Sequence, residues 1–175
     1  FSKRTVPILT EALPRNCFRV ADSQVASRWG NILEFQGFDL ITPNEKEARF
    51  ALGDQDSVIR PLALDLYRRA KCKYLILKLG ERGTITYRDR GEIGIESDPR
   101  AFFTVDSFVC HLVDAVGAGA ALVAYSTLAL KCTGNIVIAS ILGSMAAAAA
   151  CESEGNNPVA PEAVLNILDF TEKRI

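Results

Sequence analysis

Short apolar runs alternate with longer amphipathic stretches along most of the chain. Three of these runs have the length and composition of buried strands: FRVAD at 18–22, FDLITP at 38–43 and KYLILKLG at 73–80. Apolar strands that alternate with helices are typical of a parallel sheet covered by helices. The pattern therefore predicts an α/β fold, in which ligands bind beyond the carboxyl ends of the strands.

Helix boundaries are predicted from proline, glycine and capping residues. After the second strand we expect Thr42 to cap a helix, with Pro43 at its first position and Glu45 completing a capping box. That helix should stop at Gly53. The other helices are predicted at 5–13, 57–72, 118–131, 135–152 and 161–173.

The composition is that of a globular protein. The chain has 175 residues, of which 49% are hydrophobic and 23% charged, and its net charge is −1. This length suffices for one substantial core, so we expect a single α/β domain over 1–175. The charge balance leaves no basic surplus for nucleic acid or an anionic membrane, and we expect neither as a partner.

The cysteines and the single histidine limit the metal chemistry. Five scattered cysteines without a C-x-x-C pair argue against disulfides and zinc, and fit a reducing cytoplasm. One histidine excludes a multi-histidine metal site. The uncharged segment 132–151 has about the length of a bilayer span, but its alanines and serines drive insertion only weakly. We expect that segment to be a helix in a soluble core.

Glycines mark one candidate site in the stretch DAVGAGAALVAY at 114–125. Gly117-Ala118-Gly119 opens a predicted helix, whose first N–H groups have no partner within the helix and attract anions. Glycine also lets a phosphate approach the backbone closely. A tight turn packed against a neighbouring strand is the alternative, since short glycine motifs are weak signals.

Two further candidates lie at predicted strand ends. Asn44 and Glu47 are three residues apart and share a helix face, where an amide and a carboxylate suit a hydrated magnesium ion. An ordinary polar surface is the alternative. In KLGERG, Gly80 and Gly83 form a turn that leads into the strand TITYRD at 84–89, as in a hairpin. A flat nucleotide fits against such a turn, although most such turns bind nothing.

Together these motifs resemble those of ribokinase-like (PfkB) sugar kinases. DAVGAGA resembles the family's phosphate loop, Asp-[Thr/Ala]-x-Gly-Ala-Gly-Asp. TPNEKEA resembles its Asn-x-x-Glu motif and LILKLGERG its nucleotide-binding strand and turn, in the same order and spacing. GSMAAAAACESEGNNPV is similar to the alanine-rich helix and Gly-x-x-Pro turn that follow. VADSQVASRWG and ITPNEKEAR look most like the heptose-phosphate kinase branch.

The resemblance implies a three-layer Rossmann-like sheet with helices on both faces. It covers the carboxyl-terminal half of such kinases, so the Gly-Gly signature, much of the sugar pocket and the lid have no counterpart here. An incomplete sheet of this kind would leave an edge and apolar surface uncovered. We therefore expect a homo-oligomer or association with the missing half.

The resemblance also implies the ligands and how they are held. ATP, Mg²⁺ and a sugar or sugar phosphate would bind. The backbone N–H groups of 117–120 would cradle the transferring phosphoryl group, while Asn44 and Glu47 would order Mg²⁺ and its waters.

Further residues are expected around the nucleotide. Gly80 and Gly83 would line it, with Lys78 nearby and Ser144 close to the base. Asp114 and Gly155 correspond to a monovalent-cation site in some relatives.

One position departs from the family. After Gly-Ala-Gly the family has an aspartate as general base, and here Ala120 stands in its place. A methyl group cannot accept a proton, and loss of a general base lowers a rate by about 10²–10⁴. We expect retained nucleotide binding without competent phosphotransfer. A non-catalytic nucleotide-binding or scaffold protein is the alternative. A nucleotide-dependent oxidoreductase is a third, although the third glycine of G-x-G-x-x-G is missing.

Overall fold

The computed structural model describes residues 4–14, 16–22, 31–88 and 101–174. Of the expectations above, the end of TITYRD and most of VADSQVASRWG lie outside these residues. The helices and strands are α1 (Thr5–Ala12), β1 (Val20–Ala21), β2 (Leu40–Ile41), α2 (Glu45–Leu52), α3 (Ile59–Ala70), β3 (Tyr74–Lys78), β4 (Thr84–Arg88), β5 (Phe102–Val105), α4 (Ala118–Thr133), α5 (Ile136–Cys151) and α6 (Pro161–Glu172).

Among the described residues, five strands form one sheet in the order β1–β2–β3–β4–β5. The first three are parallel, with Val20 opposite Leu40 and Leu40 opposite Tyr74. The connection 79–83 between β3 and β4 is too short for a parallel crossover, which needs a dozen or more residues, so these neighbours form a hairpin. The predicted α/β class and its parallel strands are confirmed.

By its internal contacts the chain divides into two compact units, residues 1–79 with 85–103 and residues 80–84 with 104–175. The single domain expected from the sequence stays a prediction, and each unit is described by itself. In the first unit, α3 packs against β3 and α2. Leu62 and Leu66 of α3 pack with Leu75 and Leu77 of β3 in a buried apolar core. The centre of β3 is apolar on both faces, as is usual for a strand in a parallel sheet covered by helices.

In the second unit, α4 and α5 pack along one another, and α6 packs against α5. Gly143 on α5 lies so close to α4 that an added Cβ would meet the Ser126 side chain. The Ser126 hydroxyl donates to the Ala139 carbonyl oxygen at 3.0 Å. The uncharged segment of the sequence forms α5, in which most side chains are buried. No helix among the described residues has the length and hydropathy of a membrane span.

The predicted cap of α2 is wrong by two residues. Asn44, not Thr42, is the N-cap, and Glu47, not Glu45, completes the capping box. The reason lies in the sheet, because the Pro43 carbonyl oxygen still accepts the Lys78 N–H at 2.9 Å and keeps the chain extended. The stop at Gly53 is confirmed, with φ of 65°. A short 3₁₀ helix at Ile32–Phe35 was not predicted.

Candidate functional site

A polar cluster in the first unit lies where three parallel strands end. Asp22 follows β1, Thr42 follows β2 and Lys78 is the last residue of β3. The Lys78 ammonium donates to Asp22 Oδ1 at 2.7 Å, and the Thr42 hydroxyl donates to the same oxygen at 3.0 Å. Thr42 is fully buried. The carboxyl ends of parallel strands are where α/β folds bind ligands, so this cluster lies in the region expected for a site.

Asn44 and Glu47 hold the start of α2. The Asn44 side chain accepts the Glu47 N–H at 2.9 Å, and Glu47 Oε2 accepts the Asn44 N–H at 2.7 Å. Such an N-cap stabilises a helix by about 1 kcal/mol. Glu47 is only 4% exposed, and each side chain already uses an oxygen, so direct coordination of a metal fits poorly. Contact through the waters that magnesium retains still fits this pair.

The phosphate-loop motif lies in the second unit, at the start of α4. Gly117 is the N-cap, with φ of 85°, and no side chain caps the helix. Ala118 N–H donates to the Ala115 carbonyl oxygen at 3.3 Å, and the helix supplies no capping side chain for the amides of Gly119 and Ala120. A Cβ at Gly117 would lie 2.6 Å from Asn156 Oδ1. The start of α4 suits an anion, because no side chain caps it, the first amides of a helix have no partner within the helix, and the dipole favours negative charge at this end.

Ala120 is exposed, and the first turn of α4 contains no acidic residue. The nearest carboxylate of the motif, Asp114, accepts the Val116 N–H at 3.0 Å and the Gly155 N–H at 3.1 Å. These two bonds hold the pKa of Asp114 below its ordinary value. The structure thus brings Asp114 and Gly155 together, as the resemblance implies, and makes Asp114 a weak base.

The glycines of the 80–83 turn have different surroundings. Gly80 is exposed, with φ of 63°, and an added Cβ there would meet nothing. Gly83, with φ of 75°, is buried, and an added Cβ would meet the Val105 carbonyl oxygen. Close packing against the end of β5 therefore explains Gly83, while Gly80 is accessible to a ligand.

Ser144 lies on α5 and is 6% exposed. Among the described residues its hydroxyl has no hydrogen-bond partner. Leaving a buried hydroxyl without a partner costs about 1–3 kcal/mol. A polar atom of a ligand would satisfy it.

The predicted site residues fall into two sets, one in each unit. The first unit holds Asn44, Glu47 and Lys78, and the second holds Gly80, Gly83, Asp114, Gly117, Ala118, Gly119, Ala120, Ser144 and Gly155. Sequence reasoning missed Asp22 and Thr42 as members of the first set. The signal was present, since Asp22 closes an apolar strand, but its partner is distant in sequence. The described residues contain no group of three His, Cys, Asp or Glu side chains placed to hold a metal.

Comparison with known proteins gives the relatives of this chain. The family described as "pfkB family carbohydrate kinase" matches residues 2–163. The bifunctional protein HldE of Geobacter metallireducens is 30% identical over 142 residues, covering 78% of this chain and 27% of that protein. HldE of Nitrobacter winogradskyi is 30% identical over 124 residues, covering 69% and 24%. The chain therefore spans about a quarter of the length of these curated relatives.

Solved structures show the same fold. Ribokinase of Thermotoga maritima superposes with a TM-score of 0.75 at 24% identity, over 97% of this chain and 54% of that chain. Phosphofructokinase-2 of Escherichia coli, in complex with potassium, gives a TM-score of 0.77 at 18% identity, over 97% and 52%. The predicted ribokinase-like fold is confirmed, and this chain covers about half of either structure.

Proposed function

The chain belongs to the pfkB family of carbohydrate kinases, and we propose that it supplies the nucleotide-binding part of an ATP-dependent sugar kinase. The start of α4 carries this proposal. It offers backbone N–H donors behind a left-handed glycine, and no side chain caps them. Such a helix end is suited to the terminal phosphates of a nucleotide.

The other motif residues have matching roles in this proposal. The exposed Gly80 would line the nucleotide, and the Ser144 hydroxyl would bond a polar atom near its base. Asn44 and Glu47 would order waters around Mg²⁺. The ion itself would neutralise charge on the phosphates, as phosphoryl transfer requires.

A monovalent cation would bind beside Asp114. Its carboxylate already organises the loop at Gly155 through a 3.1 Å hydrogen bond, and it stays ionised. The relative from Escherichia coli was crystallised with potassium. We propose that potassium or a similar ion would take backbone oxygens of this loop as ligands.

Phosphotransfer lacks its general base in this chain. Ala120 cannot accept the hydroxyl proton, and the amide hydrogen bonds to Asp114 weaken that carboxylate as a base. Loss of the base lowers the rate by about 10²–10⁴. We propose that the chain binds Mg–ATP without competent transfer.

The proposals for the sugar that accepts the phosphoryl group and for the oligomeric state rest on resemblance to relatives. The segments at 20–30 and 41–49 resemble the heptose-phosphate kinase branch, so we propose a heptose phosphate as the sugar. Phosphofructokinase-2 of Escherichia coli has a tetrameric form. We propose that this chain likewise pairs with a second copy or with the remaining half of the kinase. A cytoplasmic location fits its five free cysteines.

A non-catalytic nucleotide-binding or scaffold protein descended from such kinases is the second candidate. The observation in its favour is Ala120, since a protein that only binds nucleotide needs no base at this position. Both candidates share the expectation of Mg–ATP binding and differ in whether a carboxylate at 120 restores turnover.

The first prediction tests the two candidates together. Mg–ATP binding is measured by calorimetry, and sugar-dependent ATP turnover is compared between Ala120 and Ala120→Asp in a full-length context that supplies the sugar pocket. A kinase site should gain about 10²-fold or more in turnover, because the base is restored. Ala124→Asp is the matched control, since it adds the same charge at another exposed position of α4.

Binding without any gain in Ala120→Asp would favour the non-catalytic protein. A chain that binds no Mg–ATP would contradict both candidates.

A further inference from the structure

In the Asp22–Lys78 pair it is the lysine side chain that is the more shielded from water. The Lys78 side chain is 17% exposed and that of Asp22 is 27% exposed. Exposed pairs contribute little to stability because water screens them and both side chains must be ordered. Here Thr42, buried beneath the pair, donates to the same Asp22 oxygen and fixes the carboxylate. The pair is therefore held in one geometry.

The backbone of Lys78 is fixed as well. Its N–H donates to the Pro43 carbonyl oxygen at 2.9 Å, and Lys78 forms a parallel bridge with Asn44. Both ends of the side chain are thus tied down, the Cα by the neighbouring chain and the ammonium by Asp22. An ammonium on a flexible four-carbon stem otherwise loses rotamer entropy when a ligand orders it. In this protein that ordering precedes ligand binding.

The ammonium still has hydrogen-bonding capacity. It carries three N–H donors, and Asp22 is the acceptor that the described residues provide for it. The remaining donors suit phosphate oxygens, since lysine binds phosphate as a point charge. Two residues after Lys78 the chain enters the turn at Gly80.

From these observations we propose that Asp22, supported by Thr42, is a positioning residue that holds the Lys78 ammonium for a phosphate group of the bound nucleotide. The inference rests on the nucleotide binding proposed above. The competing explanation is a structural clamp, in which Asp22 only ties β1 to β3. The two explanations differ in which ligands should bind more weakly when Asp22 loses its charge.

The experiment compares ligands with and without phosphates. Calorimetry gives the dissociation constants of Mg–ATP, inorganic tripolyphosphate and adenosine for the chain and for Asp22→Asn. If Asp22 positions Lys78, Asp22→Asn should weaken the binding of Mg–ATP and tripolyphosphate by about tenfold, which corresponds to the loss of one charge-assisted contact. The affinity for adenosine should stay unchanged. Asp22→Glu, which keeps a carboxylate, should recover part of the loss.

The chain offers a matched control at the other end of β3. Asp39 receives the Lys73 ammonium at 2.7 Å, just before β2 and β3 begin. Asp39→Asn should lower stability but leave the ATP and adenosine affinities unchanged. Should Asp22→Asn fail to fold, Thr42→Val replaces it, because it removes only the hydroxyl donor. We expect it to weaken Mg–ATP about two- to threefold with adenosine unaffected.

Each outcome decides a different question. Equal weakening of ATP and adenosine in Asp22→Asn would establish the clamp and overturn the positioning role. Unchanged ATP affinity in that variant would also overturn it while leaving the proposed function intact. Weaker binding of a sugar phosphate with unchanged ATP would overturn the assignment to the nucleotide. Failure of the unmodified chain to bind Mg–ATP would remove the proposed function itself.

Discussion

Two lysine–aspartate pairs lie at opposite ends of β3, and they differ in which partner is shielded from water. At the amino ends, Lys73 reaches Asp39 at 2.7 Å, with the lysine 71% and the aspartate 10% exposed. At the carboxyl ends, Lys78 reaches Asp22 at the same distance, but here the lysine is 17% and the aspartate 27% exposed. The first pair buries the anion and leaves the cation in water, whereas the second shields the cation.

From this difference we expect the Asp39–Lys73 pair to contribute to stability and the Asp22–Lys78 pair to ligand binding. Asp39 also accepts the Arg19 N–H at 2.8 Å, so its carboxylate is an internal acceptor for backbone and side chain. Asp22 leaves the Lys78 ammonium with donors to spare at the edge where α/β folds bind ligands. Similar distances therefore do not imply similar roles, and burial of each partner is the more informative quantity.

The largest expected effect is on stability at the amino ends. Asp39→Asn should lower the free energy of unfolding by about 2 kcal/mol, because hydrogen bonds to a charged group are weakened. Asp22→Asn should lower it by about half as much, since Asp22 has more access to water. Urea unfolding of both variants checks this. An equal or larger loss for Asp22→Asn would contradict the comparison.

The pH dependence sharpens the same contrast. Burial by itself would raise the pKa of Asp39, but the Arg19 N–H and the Lys73 ammonium outweigh it and hold the pKa below its ordinary value. The stabilisation is then complete above the unfolded value of about 3.9 and is lost as the pH falls through the folded pKa. The stability difference between the unmodified chain and Asp39→Asn should stay constant near neutral pH and shrink below about pH 4. Urea unfolding as a function of pH measures it. A difference that grows on acidification would rule this out.

The smallest expected effect concerns a thiol beside Lys73. Burial raises the pKa of Cys72 to about 12, so it should resist alkylation in the folded protein. Cys110 and Cys132 are exposed and should react first. Mass spectrometry after brief alkylation separates the three. Faster labelling of Cys72 in Asp39→Asn, with no change in Asp22→Asn, would show that only the first variant loosens the amino ends.

The sequence located the elements well where local chemistry decides them. Gly53 and Gly134 end their helices because each adopts a left-handed conformation that glycine tolerates. The cap of α2 could not be fixed locally, since both Thr42 and Asn44 have capping side chains. The neighbouring strand decided it by keeping Pro43 extended.

The site was predictable to the extent that its motifs are contiguous. Ala120 is visible directly in the motif, and its meaning follows from the resemblance. The contact between Asp22 and Lys78 spans 56 residues and depends on the register of three strands, which no local pattern encodes. The orphan hydroxyl of Ser144 likewise became apparent only once its burial was known.

The fit of Asn156 against Gly117 limits how this protein can be engineered. The asparagine side chain fills the space that a Cβ at Gly117 would need, so the two loops are complementary in shape. Transplanting the DAVGAGA loop into another scaffold without its GNN counterpart would leave a void beside the glycine. The two segments form a single module and have to be exchanged as one.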